Sequence, residues 1–268
     1  MIKDITLGQY FPGNSAIHRL DPRTKLVGMI AYIAIVFLVT KLPLYVLPAL
    51  FVLMTTLIAR VPLSYLIKSL KPIALLLVFM FVINLFMVTT GDPLFDWKFI
   101  HVTQGGVWQA AFITLRLILL LLGTSLMTLT TTPIALTDGM EKLLTPLAKL
   151  GFPAHELSMM MTIALRFIPT LIEEADKIMK AQMARGADFE SGNLVKRAKA
   201  MVPVLVPLFV SAFRRADELA MAMESRCYHG GEGRTRMRIL KLQWADGLAG
   251  LALALMSAAI IIGQRLLF

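Results

Sequence analysis

Two short stretches of this 268-residue chain place arginine where it could do binding chemistry. The first, Ala175 to Gly186, reads Ala-Asp-Lys-Ile-Met-Lys-Ala-Gln-Met-Ala-Arg-Gly. The second, Ala216 to Cys227, reads Ala-Asp-Glu-Leu-Ala-Met-Ala-Met-Glu-Ser-Arg-Cys. A displacement of 41 residues lays Ala175 on Ala216, Asp176 on Asp217, Ala181 on Ala222 and Arg185 on Arg226. Each copy reads as a helix ending in an arginine between small residues, Ala184-Arg185-Gly186 and Ser225-Arg226-Cys227. A guanidinium carries five donors in a rigid fork, and small flanks let a partner's backbone come close, so such a tip suits insertion into a cleft. Helix capping is the plainer account of the first copy, because glycine takes the left-handed position and arginine favours the negative helix end. The second copy has no glycine, so capping is not expected to account for it. Two similar plugs on one subunit imply two similar sockets, and so a dimeric or pseudo-dimeric partner.

Catalytic and metal chemistry find little support. The chain has no G-x-x-x-x-G-K-[S/T] phosphate loop, no H-E-x-x-H zinc helix and no G-x-S-x-G elbow. Its four histidines (His18, His101, His155, His229) are scattered, and its one cysteine, Cys227, excludes a disulfide framework. His155-Glu156 stands near an expected helix start, where a glutamate suits the helix dipole. An interfacial enzyme site near His155, Glu156 and Asp138 remains one alternative. A self-sufficient carrier or channel is another, although apart from Asp246 at a span edge the apolar segments hold no acidic residue, and ion-coupled carriers usually bury carboxylates. Catalytic, cofactor-binding and metal residues are all expected to be absent.

The elements that must position the arginines follow from composition. The chain is 57% hydrophobic and 16% charged, with a mean hydropathy of +0.72, against about 25% charge in soluble domains. It reads as an all-α polytopic integral membrane protein. The net charge of +10 then marks the cytoplasmic side rather than nucleic acid. No secretory signal peptide is expected at the N-terminus.

Residues 1–25 are a polar cytoplasmic segment. Residues 26–131 form a four-span region with spans at Leu26–Thr40, Leu44–Ala59 (carrying Pro48), Pro72–Thr90 and Val107–Leu129. Val61–Lys71 reads as an amphipathic loop, Gly91-Asp92-Pro93 as a turn, and Trp97 and Trp108 as interfacial aromatics. Asn84 is expected to bond between helices. Arg116 is expected to snorkel, and Thr128–Thr132 to bond their own helix backbone. Residues 132–243 form a set of long cytoplasmic coupling helices: one capped at Thr137-Asp138 and stopped at Gly151-Phe152-Pro153, a second from Ala154 to Arg185 bent near Pro169, and a third from about Leu194 to Arg226 containing Pro203 and Pro207. A flexible joint at Gly230–Gly233 and a basic approach (Arg234, Arg236, Arg238, Lys241) lead to the final helix in 244–268, spanning Trp244–Ile262. Five spans, with seven as the alternative, put 4 Lys/Arg before the first span, 3 in the second loop and 16 in residues 132–243 on the inner side. Eight of the 17 methionines fall between Met159 and Met223, as core filling or as a surface that repacks against changing partners.

The N-terminal Leu20-Asp21-Pro22-Arg23-Thr24-Lys25-Leu26, the tripeptide Ala184-Arg185-Gly186 and the later Ser225-Arg226-Cys227 occur in this order between a four-span half and a last span. In these features the whole chain resembles the transmembrane T component of energy-coupling factor transporters, ATP-driven importers of vitamins and transition metals in bacteria and archaea. Ser225-Arg226-Cys227 departs from a strict Ala-Arg-Gly, so Arg226 is the part that carries over. The resemblance implies a non-enzymatic scaffold in the cell membrane that joins two cytosolic ATPase subunits to one or more membrane-embedded substrate-binding S components. Arg185 and Arg226, with their small neighbours Ala184, Gly186, Ser225 and Cys227, would dock one each in the two ATPases. ATP would be bound by those subunits and not by this chain.

Overall fold

A computed structural model describes residues 10–88, 93–97, 100–189, 193–230 and 240–266. The expected turn at Gly91-Asp92, most of the glycine joint (Gly231–Gly233) and the basic residues Arg234, Arg236 and Arg238 lie outside them, as does the side chain of Trp97. The chain divides into two compact units, one of residues 8–139 with 240–268 and one of residues 140–239.

The first unit is a helical bundle. It contains α1 (Ala16–Arg19), α2 (Pro22–Leu38), α3 (Val46–Ala59) behind a 3-10 turn at Leu42–Tyr45, α4 (Leu63–Lys68), α5 (Ala74–Met87), α6 (Gln104–Thr130) and α10 (Trp244–Leu266). α7 (Pro133–Leu144) follows α6. Among the described residues, four stretches are long and apolar enough to cross a bilayer: Leu42–Ala59, Leu63–Met87, Gln104–Thr130 and Trp244–Leu266. The sequence led us to expect five. The expected first span, α2, has 17 residues, about 25 Å at the α-helical rise, short of a hydrocarbon core of about 30 Å. The supposed loop at 61–71 is helical: α4 follows Pro62, and a 3-10 turn at Lys71–Ile73 joins it to α5. Pro72 sits in the first turn of that piece, where a missing N–H costs nothing.

Short as it is, α2 is the centre of the core. Tyr32, Ile35 and Val36 are buried among Val52, Leu119, Leu126, Met256 and Ile260. The Tyr32 hydroxyl donates to Leu119 O (3.0 Å), and Gly123 packs directly under the Tyr32 ring, where a Cβ would overlap it. Asp-Pro starts the helix for a physical reason: the Asp21 carboxylate accepts from Arg23 N (2.9 Å), and Pro22 occupies the first turn.

A polar hub ties the ends together. Asp246, buried in the first turn of α10, accepts from Asp21 N (2.9 Å) and Gln243 N (2.7 Å). Lys25 Nζ donates to Thr130 O (2.8 Å), Thr131 Oγ1 (3.1 Å) and His18 O (3.3 Å). Arg23 Nη2 donates to Leu240 O (3.0 Å). His18 bonds Ser15 Oγ and Phe11 O, and Phe11 N bonds Leu129 O. Sequence reading placed Asp246 at a span edge and missed this role, because one of the two groups that satisfy it, Asp21 N, lies 225 residues away.

Two polar residues differ from expectation. Arg116 does not reach for headgroups: its Nε donates to Tyr45 Oη (2.9 Å), its Nη2 donates to Val39 O (3.1 Å), and it stacks over Phe112 (4.7 Å) and Phe37 (5.4 Å). The α2 carbonyl freed by an extended Val39 is a nearer and drier acceptor. Asn84 donates to Met80 O in its own helix (2.8 Å) rather than across helices. Of the threonines at 128–132, Thr128 and Thr130 bond their own helix backbone as expected, at Thr124 O and Leu126 O, whereas Thr131 accepts from Lys25 and Thr132 from Ala135 N. An antiparallel hairpin, β1 (Pro93–Trp97) with β2 (Ile100–Thr103), precedes α6 where only a loop was foreseen. α7 starts four residues earlier than expected, at Pro133, with Thr132 Oγ1 accepting from Ala135 N (3.3 Å). Thr137 instead donates inside the helix to Ile134 O.

The second unit contains a 3-10 turn at Thr145–Leu150, α8 (Ala154–Ala184) and α9 (Leu194–Ser225). Gly151, in the left-handed region at φ 85°, ends the turn as the sequence suggested. α8 and α9 run unbroken through Pro169, Pro203 and Pro207, and neither is among the four apolar stretches.

The hub predicts that Asp246→Ala, which strands two backbone N–H donors in a buried setting, destabilises the chain by about 2 kcal/mol. The check is a fall in apparent Tm in mild detergent, while α10 still inserts.

Candidate docking site

α8 and α9 are amphipathic arms held at two levels. Arg215 Nη2 donates to Glu174 Oε2 (2.7 Å), and Gln182 Nε2 donates to Pro203 O (3.5 Å). As the α8 position advances, its α9 partner recedes, so the helices run antiparallel. Arg185 then lies level with the Pro203 region, and Arg226 lies about 35 Å away along the pair at 1.5 Å per residue. The two tips point in opposite directions. A hydrogen bond from Ser211, then the bond and charge of Arg215, hold the Glu174 carboxyl below its ordinary range. Glu174 and Arg215 are themselves 41 residues apart, so the repeat pairs with its own equivalent position. Opposite charges at matched positions of the two copies were the available signal for this contact.

The two helix ends are built alike. After α8, Gly186 N bonds Met183 O (2.9 Å) and Ala187 N bonds Gln182 O (3.0 Å). After α9, Cys227 N bonds Glu224 O (2.9 Å) and Tyr228 N bonds Met223 O (3.0 Å). Both are Schellman caps, with Gly186 (φ 88°) and Cys227 (φ 56°) in the left-handed position. This corrects the sequence expectation: capping accounts for both copies. The second cap forms with a non-glycine residue, at a cost of about 1 kcal/mol. Arg185 (φ −89°, ψ 7°) and Arg226 (φ −94°, ψ 14°) occupy the same position with nearly the same backbone.

Ala184, Arg185, Gly186, Ser225, Arg226 and Cys227 are all exposed. Among the described residues, neither guanidinium has an ion-pair or hydrogen-bond partner. None of the eight clustered methionines is buried, and Met160, Met161, Met183, Met201 and Met221 are exposed. Phe209 and Phe213 extend that apolar surface on α9. This favours a contact surface over core filling.

The alternative chemical site brings in a residue that sequence reading did not name, Glu141. His155 Nδ1 lies 3.1 Å from Glu141 Oε1, and Glu156 is exposed. Among the described residues no group of three His, Cys, Asp or Glu side chains could hold a metal ion.

Four long apolar stretches and two exposed amphipathic arms define an all-α polytopic membrane protein. Residues 13–237 match the family model described as cobalt transport protein, CbiQ. The energy-coupling factor transporter transmembrane protein EcfT of Clostridium kluyveri is 58% identical over 263 residues, 97% of each chain. Those of Thermosediminibacter oceani (54% over 263 residues, 98% of this chain and 99% of the relative) and Bacillus subtilis (55% over 244 residues, 91% of each) are similarly related. The chain belongs to this family of energy-coupling factor transporter transmembrane proteins.

The caps predict opposite effects at matched positions. Cys227→Gly should slow amide exchange in the last turn of α9 by relieving about 1 kcal/mol of backbone strain, and Gly186→Ala should speed it in the last turn of α8 by a similar amount. Hydrogen exchange read by mass spectrometry on peptides covering each end checks both.

Proposed function

We propose that this chain is the scaffold and coupling subunit of an ATP-driven importer of vitamins or other micronutrients, with no catalytic activity of its own. Two cytosolic ATPase subunits bind ATP and receive Arg185 and Arg226, one each. α8 and α9 carry the motion of ATP-driven closure to a membrane-embedded S component that binds the cargo. The N-terminal segment and both arms face the cytoplasm, in keeping with the excess of Lys and Arg in residues 132–243. The observation that carries this reading is the pair of like-built caps, each presenting an unpaired arginine at opposite ends of one helix pair. A single binding protein has little use for two copies of one plug facing apart, whereas two related sockets separated by tens of ångströms do. The exposed methionines suit contact with S components of differing surface.

Co-purification of the complex from membranes tests it. Arg185→Glu and Arg226→Glu should each leave the chain inserted and lower ATPase recovery about thirtyfold, the loss of a central interface arginine worth about 2 kcal/mol. The double variant should abolish uptake. Normal uptake and ATPase recovery in the double variant would refute the docking role.

A further inference from the structure

We propose that the first unit holds one anionic phospholipid in a groove bounded by α2, α3, α6 and α10, with its phosphate at Arg60. The groove has a volume of about 1090 Å³ and mainly apolar walls. Buried Tyr32, Ile35, Val52 and Leu126 form its floor. Glycine keeps part of it open: a Cβ on Gly250 would meet nothing within 4 Å. Its lining on α2 runs from Arg23 to Ile35, and on α10 from Ala245 to Ser257. At 1.5 Å per residue each is about 18 Å, a little over half of a hydrocarbon core of about 30 Å. The groove therefore has the depth of a single leaflet.

At the Thr24 end the groove continues into a second hollow of about 560 Å³, since Ala16 and Ile58 line both. That hollow is partly polar, with Asn14, Ser15 and Arg60 around it together with Leu57 and Ile58. Arg60 follows α3 in the left-handed conformation at φ 55°, where glycine would cost less. Its side chain is exposed and, among the described residues, has no hydrogen-bond or ion-pair partner. The two cations that line the groove are committed: Lys25 gives its three donors to Thr130 O, Thr131 Oγ1 and His18 O, and Arg23 donates from Nη2 to Leu240 O and pairs with the Asp21 carboxylate. Among the described residues lining the two hollows, Arg60 is thus the cation without a partner, and a guanidinium binds phosphate through two parallel hydrogen bonds. An apolar trough one leaflet deep that ends at a free guanidinium fits an amphiphile with an anionic head. A free phosphate would leave the trough unfilled, and a zwitterionic lipid would offset the arginine with its own cation.

Native mass spectrometry of the purified full chain in mild detergent tests the site, with phosphatidylglycerol and phosphatidylcholine of identical acyl chains as probes. The wild type should retain one phosphatidylglycerol with about tenfold preference, the size expected of one charge-assisted contact. Arg60→Gly keeps the left-handed turn and should erase the preference, whereas Arg60→Lys should keep part of it. Gly250→Leu projects into the open groove and should lower retention of both lipids about tenfold with Tm unchanged. Equal retention of the two lipids by the wild type overturns the proposal, as does unchanged retention in Gly250→Leu. Displacement of the lipid by millimolar inorganic phosphate would likewise overturn it, by assigning Arg60 to a free anion.

Discussion

A single buried carboxylate joins the two ends of the membrane unit. Asp246 accepts hydrogen bonds from Asp21 N and Gln243 N, so the first turn of α10 is fixed to the start of α2. A charge in that position is tolerable only if it is hydrogen-bonded, and backbone N–H groups at helix starts are the donors that have no partner within their own helix. Lys25 and Arg23 use the same logic in reverse, turning to carbonyls at the end of α6 and the entry to α10. The result is a knot of helix ends at one end of the bundle that satisfies most of its polar groups, Asp21 Oδ2 and Arg23 Nε remaining without a hydrogen bond. Arg116 repeats the principle further along, closing the end of α2 with its guanidinium between two phenylalanine rings.

Helix ends also set the pose of the paired arginines. The chain places left-handed residues after α3, after α9, after α8 and after the turn at Thr145–Leu150, yet uses glycine only at the last two, Gly186 and Gly151. Arg60 and Cys227 take the strained option. At Cys227 the strain keeps the cap that presents Arg226 in the same pose as Arg185. The arginine is held by backbone hydrogen bonds and not by side-chain partners, which leaves its guanidinium free for another molecule.

The antiparallel order of α8 and α9 turns a sequence repeat into a spatial one. Two copies of a unit on one helix would face the same way, and copies on antiparallel helices face apart. The bond between Glu174 and Arg215 lies at matched positions of the repeat and so helps set the register that separates the two tips.

Much of this was legible in the sequence. Hydropathy marked the apolar helices because bilayer thickness dictates their length, and proline and glycine marked the ends of α8 within a residue because they change backbone freedom. The paired arginines were legible as tips because their flanks are small. The tertiary structure decided what depends on partners distant in the chain. It assigned Asp246 to Asp21, Arg116 to Tyr45 and Val39, and His155 to Glu141. It made α2 a short central helix, since burial of its middle against α6 and α10 outweighs length. It also gave the second arginine the same cap as the first: hydrogen bonds from Cys227 N and Tyr228 N hold a conformation that residue type alone argues against. Sequence determines which groups need satisfaction; only the packed chain determines which of the available partners comes within reach.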